Sequence, residues 1–361
     1  MLDTIDRYFT STFLKFFVGA LIMLGGIAFV AKVMETLKIV MDFKGDSIHV
    51  VRYYFLNIPL VISVVTAPAL LFAVSYTVAT FSRNYELAVI LAAGRSFMRL
   101  MQPVAIFTFF VSLALLAFNE YVTFPSNFAS YHELDIIRGR DPSFHLRGRF
   151  NVEMRSGNRF YYMAHFWPYK NEVIGLHLVV LGKTGNIYKI IEAEKGVIHK
   201  ARDWELEDGS ITYFDVNGNF LKQEFFKHMK IDLPEDGKYF RRARKDFDET
   251  SIFDLQQYIN HFKAAGEDYR KYLVEYYWHF SYPLVCFFTV IIGAIVGSKM
   301  RKGAIAASLA LSTIVTIVYY LIMFFGKSLG NNGTLPPLLA AWLANIIFLL
   351  VTVYMVWKFK K

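Results

Sequence analysis

The chain has 361 residues, of which 55% are hydrophobic, 17% aromatic and only 19% charged, with a mean hydropathy of +0.34. A soluble domain is about one quarter charged, so this composition excludes an ordinary soluble enzyme and points to an integral membrane protein. The net charge of +9 raises nucleic acid as a partner, but the basic residues gather at the edges of apolar runs as well as in one central polar block, so retention on one side of a membrane is preferred and no nucleic acid is expected.

A membrane-crossing helix needs about 20 mostly apolar residues. The first apolar run, residues 16–31, is flanked by Lys15 and Lys32. That core is short, so the lysines are expected to snorkel and the helix to cover about residues 12–36. The second run covers about residues 53–81 and contains Pro59 and Pro68, where a kink is expected.

The next stretch, RNYELAVILAAGRSFMRLMQP at residues 83–103, fits neither a span nor a loop. Arg83, Glu86, Arg95 and Arg99 are too many charges for a span; Leu87, Val89, Ile90, Leu91, Ala92 and Ala93 are too apolar for a solvated connection. A third run follows at about residues 103–121, and three more at about 280–298, 304–326 and 337–357. The first run has no small-residue cleavage pattern and five spans follow it, which argues against a signal peptide.

Six spans place both termini on one side. Arg7, Lys15, Arg83, Arg95, Arg99, Lys299, Arg301, Lys302, Lys358, Lys360 and Lys361 fall on that side, against Lys38, Lys44, Arg52 and Lys327 in the opposite short loops. The richer side is cytoplasmic, so the block at about residues 122–279 lies beyond the membrane.

Within that block, residues 145–233 read as short strands rich in aromatic and β-branched residues. Turn pairs such as Asp208-Gly209 and Asn217-Gly218 separate them. In the last strand, alternation places Leu221, Gln223, Phe225, Lys227, Met229 and Ile231 on one mostly apolar face. Such strands imply an antiparallel sandwich or jelly roll. Ser251 to Asp254 is a capping-box pattern that opens a helix through about residue 264, with Gly266 separating it from a second helix.

The fold class is therefore an α-helical integral membrane protein, three spans plus three, with an inserted jelly-roll-like all-β domain. The expected organisation is spans one to three in residues 1–121, with the helical segment at about 83–100, a β domain in 122–249, a helical connector in 250–279 and spans four to six in 280–361.

Chemistry-bearing motifs are scarce. The single cysteine, Cys286, excludes an internal disulfide or a cysteine-based metal site. His177, His199 and His228 stand singly on strands, and His261 and His279 are far apart, so no metal site is expected. Gly182-Lys183-Thr184 lacks the upstream glycine of a phosphate loop, because His177 stands there. No nucleophile has a base, and neither a catalytic site nor a cofactor is expected. Gly293 and Gly297 form a small-xxx-small pair suited to close helix packing.

Residues 83–103 by themselves fit two readings, an amphipathic helix lying on headgroups or a docking helix for a cytoplasmic partner. Other motifs bear on the choice. They are Ile5-Asp6-Arg7-Tyr8; Glu86-Leu87, Ala92-Ala93-Gly94, Arg99-Leu100 and Pro103; Asn119-Glu120-Tyr121-Val122 with Pro125; and residues 330–337 followed by Trp342 and Asn345. In this order, over nearly its whole length, the chain resembles the lipopolysaccharide-export permeases of the LptF/LptG (YjgP/YjgQ) family. Lys32, Glu35 and Lys38 are similar to the LptG branch.

The resemblance implies a bacterial inner-membrane permease subunit of an ABC transporter. A cytoplasmic ATPase dimer would supply hydrolysis, and a sibling permease or a second copy would complete the membrane part. Lipopolysaccharide would leave the inner membrane and pass by the β domain to a periplasmic bridge protein. Arg83, Glu86, Leu87, Ala92, Gly94, Arg95 and Arg99 would form the coupling helix, with Glu86, its lone acid, pairing with an arginine across the interface. Arg95 departs from the small or hydrophobic residue common after that glycine. Lys32, Glu35 and Lys38 would face the lipid phosphates, and Phe225 and Met229 would point inward to the acyl chains. A permease for another lipid or a lipoprotein, and a non-transporting scaffold whose β domain binds a partner, are the alternatives.

Overall fold

The computed structural model describes residues 4–43, 46–139, 149–167, 170–182, 185–200, 203–235, 237, 240, 250–265, 268–300 and 303–360. Lys44, Arg301, Lys302 and Lys361, used above to orient the chain, lie outside that set, as do Lys183, Thr184 and Gly266. Two compact units emerge: Met1–Ser130 with Phe247–Leu255 and Arg270–Lys361, and Tyr131–Asp246 with Gln256–Tyr269.

The first unit is helical. Among the described residues six helical segments are long and apolar enough to cross a membrane. Helix α1 is Thr4–Phe43 and α2 is Ser47–Arg83, which runs unbroken through Pro59 and Pro68. After a seven-residue helix α3, Glu86–Ala92, α4 is Phe97–Phe118. It starts earlier than expected because Ser96 caps it, the hydroxyl accepting the Arg99 N–H at 3.3 Å. A π-helical turn, Asn119–Thr123, carries α4 into α5, Phe124–Ile137.

The return path is α6, Ile252–Ala265, and α7, Arg270–Ser281; a 3-10 turn, Tyr282–Leu284, leads into α8, Val285–Gly297. Helices α9, Ala304–Asn331, and α10, Pro337–Lys360, complete the chain.

Side chains close the N-terminus of α6 from two directions. Ser251 accepts the Asp254 N–H at 3.1 Å, as the capping pattern predicts. The buried Glu120 carboxylate, in the π-turn, accepts the Ile252 N–H at 2.9 and 3.1 Å. Beside it the ring nitrogens of His279 lie 2.8 Å from the Glu275 carbonyl and 3.1 Å from that of Thr250, under the Phe124 ring.

The core of this unit lies between α2 and α8. A Cβ on Gly297 would fall 2.5 Å from the Ser75 carbonyl oxygen, and one on Gly293 would fall 3.1 Å from that of Leu71. Only hydrogen fits there, so the small-xxx-small pair is a packing device. Glu275 is buried and paired with Lys327 at 2.7 Å, whose ammonium also lies 4.3 Å from the centre of the Trp278 ring.

The second unit is built on one antiparallel sheet in the order β1-β2-β3-β4-β5-β6. The strands are Arg149–Ser156, Arg159–Trp167, Glu172–Leu181, Ile187–Lys200, Asp203–Phe214 and Phe220–Ile231. The expected inserted antiparallel β domain is present, but among the described residues its strands follow one another as a meander in place of a jelly-roll order.

Burial does not keep period two along these strands. In β2 it runs Tyr161, Met163, then Phe166; in β3 it runs Val173, then Leu176 and Leu178. In β6 the residues packed on the core are Phe226, Met229 and Ile231. Gly175 at φ +64° and Asp208 at φ +48° mark the break, and a Cβ on Gly175 would fall 2.8 Å from that of Ala164 in the adjacent strand. Strands β2 to β6 therefore skip a residue while one face of the sheet stays inward. Part of that face is covered by the segment after β6, where the buried Phe240 packs on Tyr161, Phe166 and Trp204, while Met229 stays only partly buried. Glu235 there accepts from Arg159 at 3.0 Å and from the Tyr161 hydroxyl.

Candidate functional site

Three groups of residues were expected to act, and the structure places each differently. The first is the stretch between α2 and α4. It is not one helix over residues 83–100 but α3 alone, followed by a turn at Gly94, where φ is +83°. Leu87 and Ile90, three apart and so on one face, are buried in the core with Phe9, Phe81 and Phe97. Tyr85 and Val89 point the other way and are exposed, as are Ala92 and Gly94.

Glu86 opens α3, where a carboxylate suits the helix dipole, and accepts from the Asn84 amide at 3.1 Å. Arg83 and Arg99 are exposed at the ends of their helices. Arg95 is the exception. It was expected on the outward surface, but its side chain is 11% exposed and turns inward to an ion pair with Asp6, itself 12% exposed. Eighty-nine positions separate these residues, and nothing local in the sequence pairs them.

The second group lies toward the far end of α1. Lys32 pairs with Glu35 at 3.2 Å, one turn on, and the Thr36 hydroxyl lies 3.1 Å from that of Tyr54 in α2. Lys38 is exposed. At 100° per residue it stands about 120° around the helix from Lys32, so the two lysines do not share one face as expected.

The third group is β6. Met229 packs on the inner face, but Phe225 is 80% exposed and Phe226 takes the inward place. The inward expectation for Phe225 fails because strict alternation does not survive the break in the sheet. Among the described residues no group of three His, Cys, Asp or Glu could hold a metal.

Sequence reasoning gave no role to Asp6, Glu120 and Lys327, which it named only within motifs or the charge count, and did not single out Glu275. Each is a charge at the margin of an apolar run, and that position was the available clue.

Six apolar helical segments, three before and three after an inserted antiparallel sheet in chain order, with a short helix between the second and third, have the organisation of a multi-pass membrane protein. The family model for the lipopolysaccharide export system permease LptF/LptG matches residues 7–358, nearly the whole chain, and the chain belongs to that family. The match does not separate the LptF and LptG branches. Comparison with curated proteins returned no match.

Proposed function

We propose that this chain is the membrane-spanning subunit through which a separate ATPase drives lipopolysaccharide out of the inner membrane. The observation that carries the reading is α3. It is anchored inward by Leu87 and Ile90 while Tyr85 and Val89 face out, with Glu86 at its first turn. A helix lying on headgroups would turn its apolar side chains toward the lipid. Here one apolar face is bound to the protein's own core and a second is offered outward beside a carboxylate, as a groove in a partner requires.

The side rich in arginine and lysine is then cytoplasmic, with both termini there and the β insert periplasmic. The ATPase dimer docks on α3. A sibling permease or a second copy covers the outer helices. Lys32, partly balanced by Glu35, meets the lipid phosphates; acyl chains meet the inner face of the sheet near Met229, and a bridge protein takes the lipid onward.

One copurification experiment tests this. The complex is isolated with its ATPase and analysed for bound lipid by mass spectrometry, for the parent, for Glu86→Ala and for the Lys32→Gln/Lys38→Gln pair. Glu86→Ala should loosen the ATPase or leave its hydrolysis without lipid release, since breaking a desolvated charge pair from one side costs about 2–5 kcal/mol. The lysine pair should keep the ATPase and lose lipid. Recovery of a different lipid class would move the substrate assignment, and absence of any ATPase would favour a scaffold.

A further inference from the structure

We infer that the Arg95–Asp6 ion pair is the pin by which movement of α3 is passed to α1. The inference rests on the reading of α3 as the ATPase-docking helix, and it assigns Arg95 and Asp6 a positioning role within that reading.

Arg83 and Arg99, in the same stretch, are exposed. Arg95 follows the turn at Gly94 and could have reached water as they do; its guanidinium goes inward instead, to a carboxylate in the first turn of α1. Removing two charges from water is costly, and their attraction offsets this only in good geometry, so an apolar pair of similar volume would serve stability equally well or better. What an ion pair adds is a directional attachment between two elements that are remote in the chain.

The surroundings make that attachment mechanical. At this end α1 is gripped, with the Phe9 and Phe81 rings 5.0 Å apart and Phe9, Phe13, Leu87 and Ile90 in one core. Above it, only 11% of the most apolar stretch of α1 is buried. The helix is a single rod of 40 residues with no proline, about 60 Å long at 1.5 Å per residue. A displacement applied at Asp6 therefore shifts the rod against α2, on which Phe16, Phe29 and Thr36 rest, and carries with it Lys32, about 39 Å along. Helix α2, buried over most of residues 63–81, cannot respond in that way.

The test uses the full complex with its ATPase and partner permease in nanodiscs, and reads ATP hydrolysed per lipid released. Variants are Arg95→Ala, Asp6→Ala, the exchange Asp6→Arg/Arg95→Asp, and the apolar pair Asp6→Leu/Arg95→Met. A Val89→Cys crosslink to the ATPase is followed in each. The single variants should keep the crosslink and hydrolysis but release lipid about fivefold less or worse, the usual size of a coupling between sites. The exchange should restore release, and the apolar pair should restore thermal stability without restoring release. Normal release by the single variants, or full release by the apolar pair, overturns the pin while the crosslink keeps the docking reading intact. No crosslink in the parent overturns the docking reading and the pin with it.

Discussion

Helices α1 and α2 have nearly the same length, 40 and 37 residues, and equally apolar spans, yet 11% of one span is buried and 61% of the other. Both contain small residues. In α2 a run with Ala69, Ala73, Ser75 and Ala79 lets α8 approach until Gly297 nearly touches the Ser75 backbone. In α1, Gly19 and Gly26 have nothing within 4 Å of a Cβ position. Hydropathy therefore reports that a helix can cross a membrane, and small residues that something can come close. Neither says whether the neighbour belongs to the same chain. The open face of α1 is consistent with cover from lipid or a second permease.

The contrast between a packed body and an open first helix is sharpest at charges. Lys327→Met would leave the buried Glu275 without its cation, and losing one partner of such a pair costs about 3–5 kcal/mol. Thermal unfolding in detergent should show this as the largest loss; an unchanged midpoint would mean that water already reaches Glu275. Gly297→Leu should come next, since an overpacked core loses about 1–3 kcal/mol and here the obstacle is backbone. The matched change Gly26→Leu should stay within about 0.5 kcal/mol, as substitutions away from packed features do. Equal losses at the two glycines would erase the distinction between the helices.

The smallest effect belongs to the fully solvated β5–β6 turn. The Asn219 backbone N–H and side-chain amide donate to the Asp215 carboxylate and hold its pKa below the ordinary range. A depressed carboxyl stabilises the fold above its unfolded pKa and loses that contribution as pH falls through the folded value. Protection of the Asn217 and Asn219 amides, measured against intrinsic exchange at the same pH, should therefore fall in acid below about pH 4. Asp215→Asn should remove that pH dependence, and a turn that loses protection equally in the variant would assign it elsewhere.

Much of this architecture was legible because it is set by composition and period. Long apolar runs gave the helices, and the Ser251–Asp254 pattern gave the start of α6. The seven-residue α3 was blurred into a longer helix because Ala92, Ala93 and the residues beyond Gly94 are all helix-compatible; only the turn and the Ser96 cap divide them. The orientation of Arg95 depends on Asp6, which folding brings from the far end of α1. Phe225 and Phe226 exchange faces because of a break that crosses the sheet from strand to strand, and no single strand's sequence encodes it. The motif Asn119-Glu120-Tyr121-Val122 was noticed as a pattern, but its task of capping a helix over a hundred residues later needed coordinates.

That cap also bears on how the molecule is put together as a polymer. Between Glu120 and Ile252 the chain leaves the helical unit and comes back, and the carboxylate binds the returning backbone where it arrives. Loop-closure entropy rises only slowly with length, so once this knot of contacts forms, the length of what hangs from it matters little. The β insert is in this sense a cassette on a closed loop. It could be enlarged, shortened or exchanged during evolution while the apolar helices kept their partners, provided that the two ends of the loop still met.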